Sequence, residues 1–519
     1  MEIKRDVSYT KNIKCQDVYT ESHADYILPD YQGDVRKILF TEASLRPSGR
    51  FAGGDEVEFS GVVVYNVIYL DSDGDLSSAE FTSDYDYSVK CSGENYKDSV
   101  SETNISNFAI RLIGPRKMSA RASLVGSVRL SESDVLEVSG DAFDGECSPE
   151  VNTKNVKIRK ESTSKVTERE FAESLTRLDG IVQDEVKIVY SRVEPQVESL
   201  GMEDEAVRLR GKLSLLAVIR VADESARTVE RQISFDESLG FEGLSSDMKL
   251  MPEITVSSVK TLVNADENGC EVVSSAILEL CAVAESNESV ELTLDSYLKS
   301  CPTDNTYSDF NYQSLVDVSS VIGMHNAEIE KSELESVNID EVVFLSVVPK
   351  VERVELCRDR VDIVGELRYS GVASEVIDGK TSYVGVKFTS PFATNVNTSC
   401  QNHENLRAEA KVTASFPSAT VDANRVYAGC SLESTVILCA DSCESVLSSS
   451  KKRENEKYEK ASAVVTVYYP SDDDTLFSVA KRFRTSGLKI ARDNDISEAV
   501  FAADNENGSL KGIKKILIY

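Results

Sequence analysis

Nucleophilic or metal-assisted catalysis needs histidine, cysteine and carboxylate side chains brought together, and this chain has only three histidines, His23, His325 and His403. They fall in three separate stretches with no shared spacing, so a Ser-His-Asp triad or a histidine metal cage has little raw material. Cys400-Gln401-Asn402-His403 sets a thiol beside an imidazole in sequence, but a catalytic pair needs apposition in the fold, and the phrase reads as a surface loop. Cys439-Ala440-Asp441-Ser442-Cys443 could hold a metal or form a bridge, but it lacks the second half of a zinc site. Asp71-Ser72-Asp73-Gly74-Asp75 has the start of a calcium loop, yet Thr82 stands where such a loop needs its bidentate glutamate. A hairpin turn accounts for the same residues. No phosphate-cradling glycine loop and no Gly-x-Ser-x-Gly elbow occurs, and Arg50-Phe51-Ala52-Gly53-Gly54-Asp55 reads as a turn. The expectation is a protein that is not an enzyme and uses no cofactor or metal.

Bulk properties narrow the class further. At 519 residues the chain exceeds one core, and domains of roughly 100–200 residues imply several. Its 57 Lys and Arg against 88 Asp and Glu leave a net charge of −31, which repels nucleic acid and anionic lipid. Apolar residues make up 41%, with 20 tyrosines and 17 phenylalanines, so packed domains rather than disorder are expected. Eleven cysteines are spread thinly between Cys15 and Cys443 with no framework spacing. Met1-Glu2-Ile3-Lys4-Arg5-Asp6 has no apolar core of a leader, and no run reaches the ~18–20 apolar residues of a membrane span. These features predict a protein of the reducing cytosol.

The elements that would position any site repeat three times. Val57-Glu58-Phe59-Ser60-Gly61 opens an alternating run through Val63, Tyr65, Val67 and Tyr69 that stops at Asp73-Gly74. Val207-Arg208-Leu209-Arg210-Gly211 opens a second, through Leu213, Leu215 and Val218, stopping near Asp223-Glu224-Ser225. Val361-Asp362-Ile363-Val364-Gly365 opens a third, through Leu367 and Tyr369, stopping at Asp378-Gly379. The opening valines stand 150 and then 154 positions apart, and an aromatic follows each at nearly constant offset: Tyr85, Phe235 and Phe388. The two-residue period predicts a long strand, the turn residues a hairpin, and the strand glycine a bulge or close backbone approach. Shorter apolar stretches precede the runs at 37–40, 187–190 and 342–345. Later β stretches follow at 108–112, at 254–256 with 276–280, and at 412–416. The fold class expected is mainly β and multidomain, with three repeated antiparallel sandwich- or barrel-like domains. Val166–Leu175 reads as a short helix leading into the second repeat, Leu315–Glu330 plays the same part before the third, and Ser448–Lys457 reads as a charged linker.

The C-terminal tail has a different grammar. Tyr469-Pro470-Ser471-Asp472-Asp473-Asp474-Thr475-Leu476 leads into Ser478-Val479-Ala480 and Phe483, then Asn494, and the chain closes on Gly512 and Ile516-Leu517-Ile518-Tyr519. This order of strand, Asp-Thr-Leu cap, two short helices and closing strand resembles a LysM module, a small βααβ unit known for gripping N-acetylglucosamine polymers. Ahead of the first repeat stands Tyr26-Ile27-Leu28-Pro29-Asp30-Tyr31-Gln32-Gly33-Asp34-Val35-Arg36-Lys37-Ile38-Leu39. With the three β repeats and the tail, this phrase resembles the SPOCS-domain spore-coat morphogenetic proteins of clostridial endospore formers. The resemblance implies a place in the mother-cell cytoplasm at the forespore surface, in the spore coat. It also implies a stage IV sporulation protein A-like scaffold ATPase as partner, with other coat proteins or peptidoglycan as further partners.

The domains expected are repeat 1 over 1–165 with its N-terminal segment, repeat 2 over 166–313, repeat 3 over 314–447, a linker over 448–463 and the LysM-like module over 464–519. The tail departs from the LysM pattern where Asp473 replaces a glycine and where 498–506 reads as an insertion into one groove wall. The groove residues carried over are Asp473, Asp474, Thr475, Leu476, Asp504, Leu510, Lys511, Gly512 and Ile513. Thr475 or Asp474 can cap the first helix, with Leu476, Val479, Ala480 and Phe483 as its buried stripe. The altered wall favours a protein ligand, so the function expected is a scaffold that tethers coat layers. The alternative is a peptidoglycan- or N-acetylglucosamine-polymer-binding wall or cortex protein.

Overall fold

The computed structural model describes residues 5–53, 56–90, 96–138, 149–160, 163–222, 224–377, 379–398, 405–453, 456–458, 465–496 and 509–519. Cys400–His403, Asp504 with the rest of 498–506, Asp223, Asp378 and most of 454–463 lie outside the described residues. The chain is mainly β, with antiparallel sheets throughout and two short helices near its end. Two sheets, β2(Val35–Gly53)-β3(Glu56–Asp71)-β4(Leu76–Lys90) and β1(Arg5–Ile27)-β6(Lys117–Val138)-β5(Tyr96–Gly114), face each other across one core. The strand order recurs in β9(Val186–Glu203)-β10(Ala206–Val221)-β11(Arg227–Gly240) facing β8(Thr163–Asp179)-β13(Gly269–Glu285)-β12(Lys249–Asp266). It recurs again in β16(Ile339–Leu356)-β17(Arg360–Ile377)-β18(Lys380–Asn397) facing β15(Thr303–Glu330)-β20(Arg425–Lys452)-β19(Leu406–Val421). In each unit the first strand lies along the fourth and the second against the fifth, closing the two sheets partly into a barrel.

The central strand of each unit carries the glycine noted in the sequence; a bulge lies opposite all three, and a close backbone approach occurs at Gly211 and Gly365. Gly61 pairs with Tyr85, Gly211 with Phe235 and Gly365 with Phe392. Each aromatic is buried and lies over the glycine, so a methyl group at any of the three would overlap the ring. On the other side of each glycine the neighbouring strand bulges, between Pro47 and Gly49, Val197 and Ser199, and Val351 and Arg353. The third aromatic is thus Phe392 rather than Phe388, because the β17–β18 hairpin closes further along, at Ile377 and Lys380. Phe388 instead stacks on Tyr369 with ring centroids 4.7 Å apart. Replacing Gly365 by valine is expected to cost about 1–3 kcal/mol through overpacking, read as a shift in the urea midpoint.

Several expectations change. Val166–Leu175 is not a helix but part of β8, hydrogen-bonded to β13 in antiparallel register. Phe171 and Leu175, four apart, fit one face of a helix and one face of a strand equally, and the ladder with the apolar β13 decides. Leu315–Glu330 likewise lies in β15, paired along its length with β20. Arg50–Gly53 continue β2, and Ser448–Lys452 continue β20, so the linker begins later than 448. The third unit starts with β15 at Thr303, ahead of 314, and the second with β8 at Thr163, ahead of 166. Two strands leave their units altogether: β7(Glu150–Arg159) pairs with β14(Asn287–Tyr297) as a separate ribbon. Val156, Ile158, Val290 and Leu292 of this ribbon pack on Phe310 and Val446 from the far halves of β15 and β20.

The three units close into a ring. The second strand of each packs on the outer hairpin of a neighbour: β9 on β4, β16 on β11, and β2 on β17 and β18. Such head-to-tail contacts among like units close on themselves when the rotation is a third of a turn. At the meeting point sit Phe40, Tyr190 and Phe344, buried and spaced 150 and 154 positions apart like the opening valines. Phe40 meets Tyr190 at 5.8 Å and Phe344 at 4.8 Å, both edge-on, and Tyr190 meets Phe344 at 4.8 Å. A second bulge in each of β2, β9 and β16, beside Leu39, Val189 and Val343, turns these residues out of their own sheets and into the hub.

Candidate functional site

The tail builds its site from short elements. β21(Thr466–Tyr468) and β22(Ile516–Ile518) pair antiparallel, with α1(Leu476–Phe483) and α2(Gly487–Asp493) between them in sequence. Thr475 caps α1: its Oγ1 accepts the Ser478 N–H at 3.0 Å, and Ser478 Oγ accepts the Thr475 N–H at 2.9 Å. Leu476, Val479, Ala480, Ile490, Ala491, Leu510, Ile516 and Ile518 form the core of the tail. Replacing Thr475 by alanine is expected to lower the stability of the tail by about 1 kcal/mol, measured by hydrogen exchange of the α1 amides.

The two loops carrying the expected groove residues lie side by side. The Leu510 N–H donates to the Asp474 carbonyl at 3.0 Å, and Thr475 forms an isolated antiparallel bridge with Ser509. The Ile513 N–H donates to the Leu510 carbonyl at 3.0 Å, and Gly512 holds φ at +88° to make that turn. Asp473, Lys511 and Gly512 are exposed and Asp474, Thr475 and Ile513 half-buried, whereas Leu476 and Leu510 are core residues whose side chains face inward. Asp504 lies outside the described residues. The Leu510 N–H and the Asp474 carbonyl at the middle of the loop pair are therefore bonded to each other, and the Asp473 and Lys511 side chains are exposed beside them.

Asp474 is the organising acid. Its Oδ2 accepts the Ser471 N–H at 2.8 Å, the Ser471 hydroxyl at 3.0 Å and the Tyr468 hydroxyl at 2.8 Å. The Ser471 amide first, and then the Tyr468 hydroxyl, hold its carboxyl below the ordinary aspartate value of 3.8. A depressed folded-state pKa contributes stability above the unfolded value, lost as pH falls through the folded one. The loop is thus expected to stay ordered above pH 3.8 and to loosen below it, with amide exchange at 471–475 rising, and the Asp474→Ala variant should show that exchange already at neutral pH.

Another face of the tail is seated on the β7–β14 ribbon. Tyr297, the last residue of β14, donates its hydroxyl to the Thr485 carbonyl at 2.6 Å and meets the Phe477 ring edge-on at 5.2 Å. Lys481 forms an ion pair with Asp295, and the Arg484 guanidinium lies 3.6 Å over the Tyr458 ring. The tail is not a module swinging free on its linker: α1 is docked, while Asp473, Ser509, Lys511 and Gly512 of the loop pair remain exposed.

The residues weighed for catalysis are placed differently. His325 Nε2 lies 3.0 Å from Ser390 Oγ, but Ser390 is buried within β18, and burial pushes the imidazole below its ordinary value. His23 is exposed, 3.6 Å from Glu21. Cys439 is buried, with its Sγ 3.3 Å from the Arg159 guanidinium, and Cys443 is exposed. Among the described residues no three His, Cys, Asp or Glu side chains gather as metal ligands. Asp71 makes its hairpin turn by accepting the Asp73 and Asp75 N–H groups at 3.1 and 2.8 Å, with Gly74 at φ +85°.

A cleft of 870 Å³ opens between the first two units, lined by Glu42, Arg46, Glu102, Arg192 and Glu253 and reached by Lys411 of the third. Lys411 lies 3.7 Å from both Glu102 and Glu253, and Tyr190 donates its hydroxyl to Glu42 at 2.6 Å. Sequence reasoning saw Phe40, Tyr190 and Phe344 in short apolar stretches but not at an interface, although their matching spacing was the available signal. Among the described residues no helix is long and apolar enough to cross a membrane. Comparison with protein-family models, with curated proteins and with solved structures finds no match to this chain.

Proposed function

We propose that this chain is a non-enzymatic scaffold or adaptor that tethers spore-coat layers to the forespore surface from the mother-cell cytoplasm, with its LysM-like tail as the hook. One observation carries the reading: Asp473, Ser509, Lys511 and Gly512 of the loop pair are exposed while α1 and Thr485 are fixed to Tyr297 and Asp295. A hook fixed to the body of the protein loses less orientational freedom on binding than one on a flexible linker, which favours multivalent attachment. A protein ligand is preferred over a glycan because Leu510 N–H and Asp474 C=O satisfy each other instead of facing a sugar. The net charge of −31 suits a basic or multivalent protein surface, such as a stage IV sporulation protein A-like scaffold ATPase or other coat proteins. The test is a fluorescent fusion of the whole chain in a sporulating host. A shell around the forespore is expected, and diffuse or cell-wall fluorescence would rule the reading out.

A further inference from the structure

We propose that the end of the ring opposite the tail is a second docking face, fitted to a basic protein segment that also carries apolar side chains. It stands whether or not the tail holds a protein. Each unit brings three connections to this end: 28–34, 72–75 and 115–116 in the first, 180–185, 222 with 224–226, and 267–268 in the second, and 331–338, 379 and 422–424 in the third. Hydrogen bonds tie connections together within each unit, as from Leu28 N to Arg116 O, Ala222 N to Glu185 O and Lys331 N to Asn424 O. Contacts between units gather all three ends around the aromatic hub. Lys187 donates to Ser77 at 2.7 Å, Arg220 pairs with Asp75 at 2.5 Å, Lys37 pairs with Glu335, and Ala226 N–H donates to the Tyr383 hydroxyl at 2.7 Å. The tail sits on Tyr297, at the far end of the body from these connections.

Two features of the face fit one kind of occupant. Among the described residues seven of the nine connections contain Asp or Glu, and their only cations are Arg116 and Lys331. Both cations are used internally. Arg116 donates to the carbonyls of Leu28, Pro29 and Gln32 and to Asp34, while buried Lys331 donates to the Ile339 carbonyl at 2.7 Å. The corresponding first connections of the three units each also expose one large apolar side chain: Tyr31 at 85%, Val182 at 60% and Val337 at 59%. A single exposed apolar residue needs no explanation, but one per unit about a common axis and within an acidic surround forms anchors with a charged rim. Complementarity then selects lysine or arginine with apolar neighbours, and the anionic charge turns away lipid headgroups and nucleic acid.

The test uses the full chain and a short fluorescein-labelled peptide of alternating lysine and leucine, with an oligolysine of equal charge as the charge-only probe, read by anisotropy at physiological salt. The lysine–leucine peptide is expected to bind about 10-fold more tightly than oligolysine. The Tyr31→Ser/Val182→Ser/Val337→Ser variant should lose that advantage with its thermal midpoint unchanged, since all three side chains are exposed. Reversing Asp73, Asp184 and Glu333 to lysine should weaken both probes. Unchanged peptide affinity in the triple serine variant would overturn the proposal. So would failure of the peptide to bind while the free chain self-associates through the same three residues, which would give the face to a second copy.

Discussion

Phe344→Ala is expected to destabilise the chain by about 3–5 kcal/mol, the cost of emptying a buried aromatic site that cannot collapse around the void. The ring is 4% exposed and touches Phe40 from the first unit and Tyr190 from the second. Its loss therefore removes contacts between units as well as hydrophobic burial. Urea denaturation followed by tyrosine fluorescence should show a lower midpoint and a broader transition as the units uncouple. Phe388→Ala, which removes a ring stacked within one unit, should lower the midpoint without that broadening. Equal broadening in both variants would contradict the hub's role in joining the units.

Glu285→Ala should cost about 3–5 kcal/mol by a different route, the stranding of a buried charge. Arg159 and Glu285 are 9% and 5% exposed and form two N–H to oxygen contacts of 2.9 Å each. Arg159 also reaches Gln313 and Cys439 at 3.3 Å each, so one guanidinium ties the β7–β14 ribbon to the second and third units. The double variant Arg159→Met/Glu285→Leu should recover most of the loss, because neither charge is then left unpaired. If the double variant is as unstable as Glu285→Ala, the geometry of the junction rather than its charge is what matters.

Much of this architecture can be read in the residues. The alternation from Val57 to Tyr69 and its counterparts marks the strands, and turn residues such as Asp73-Gly74 mark where they end. The strand glycines announced a bulge or a close backbone approach; each has the bulge opposite it, and Gly211 and Gly365 also have the backbone approach. What was illegible depended on partners distant in sequence. Thr167–Leu175 is rich in Glu, Arg and Ala, residues that suit helices, and only β13 makes it a strand. Val156 and Ile158 gave too short an alternation to show that β7 pairs with β14, well over a hundred residues away. The Phe388 reading failed because a constant offset assumes hairpin arms of equal length, and the third arm is longer. In the tail the Thr475 cap and the buried stripe were visible, but its seat on Tyr297 was not, because nothing near Tyr297 in sequence announces a docking point.

The most direct test of the tail as a protein hook is co-sedimentation of the full chain with polymerised scaffold ATPase from a spore former and, separately, with purified peptidoglycan. The chain should sediment with the polymer and stay in solution with peptidoglycan, and the Asp473→Lys/Lys511→Glu variant, altered only at exposed positions, should lose the polymer. Sedimentation with peptidoglycan that this variant abolishes, and none with the polymer, would contradict the account and make the tail a glycan-binding module.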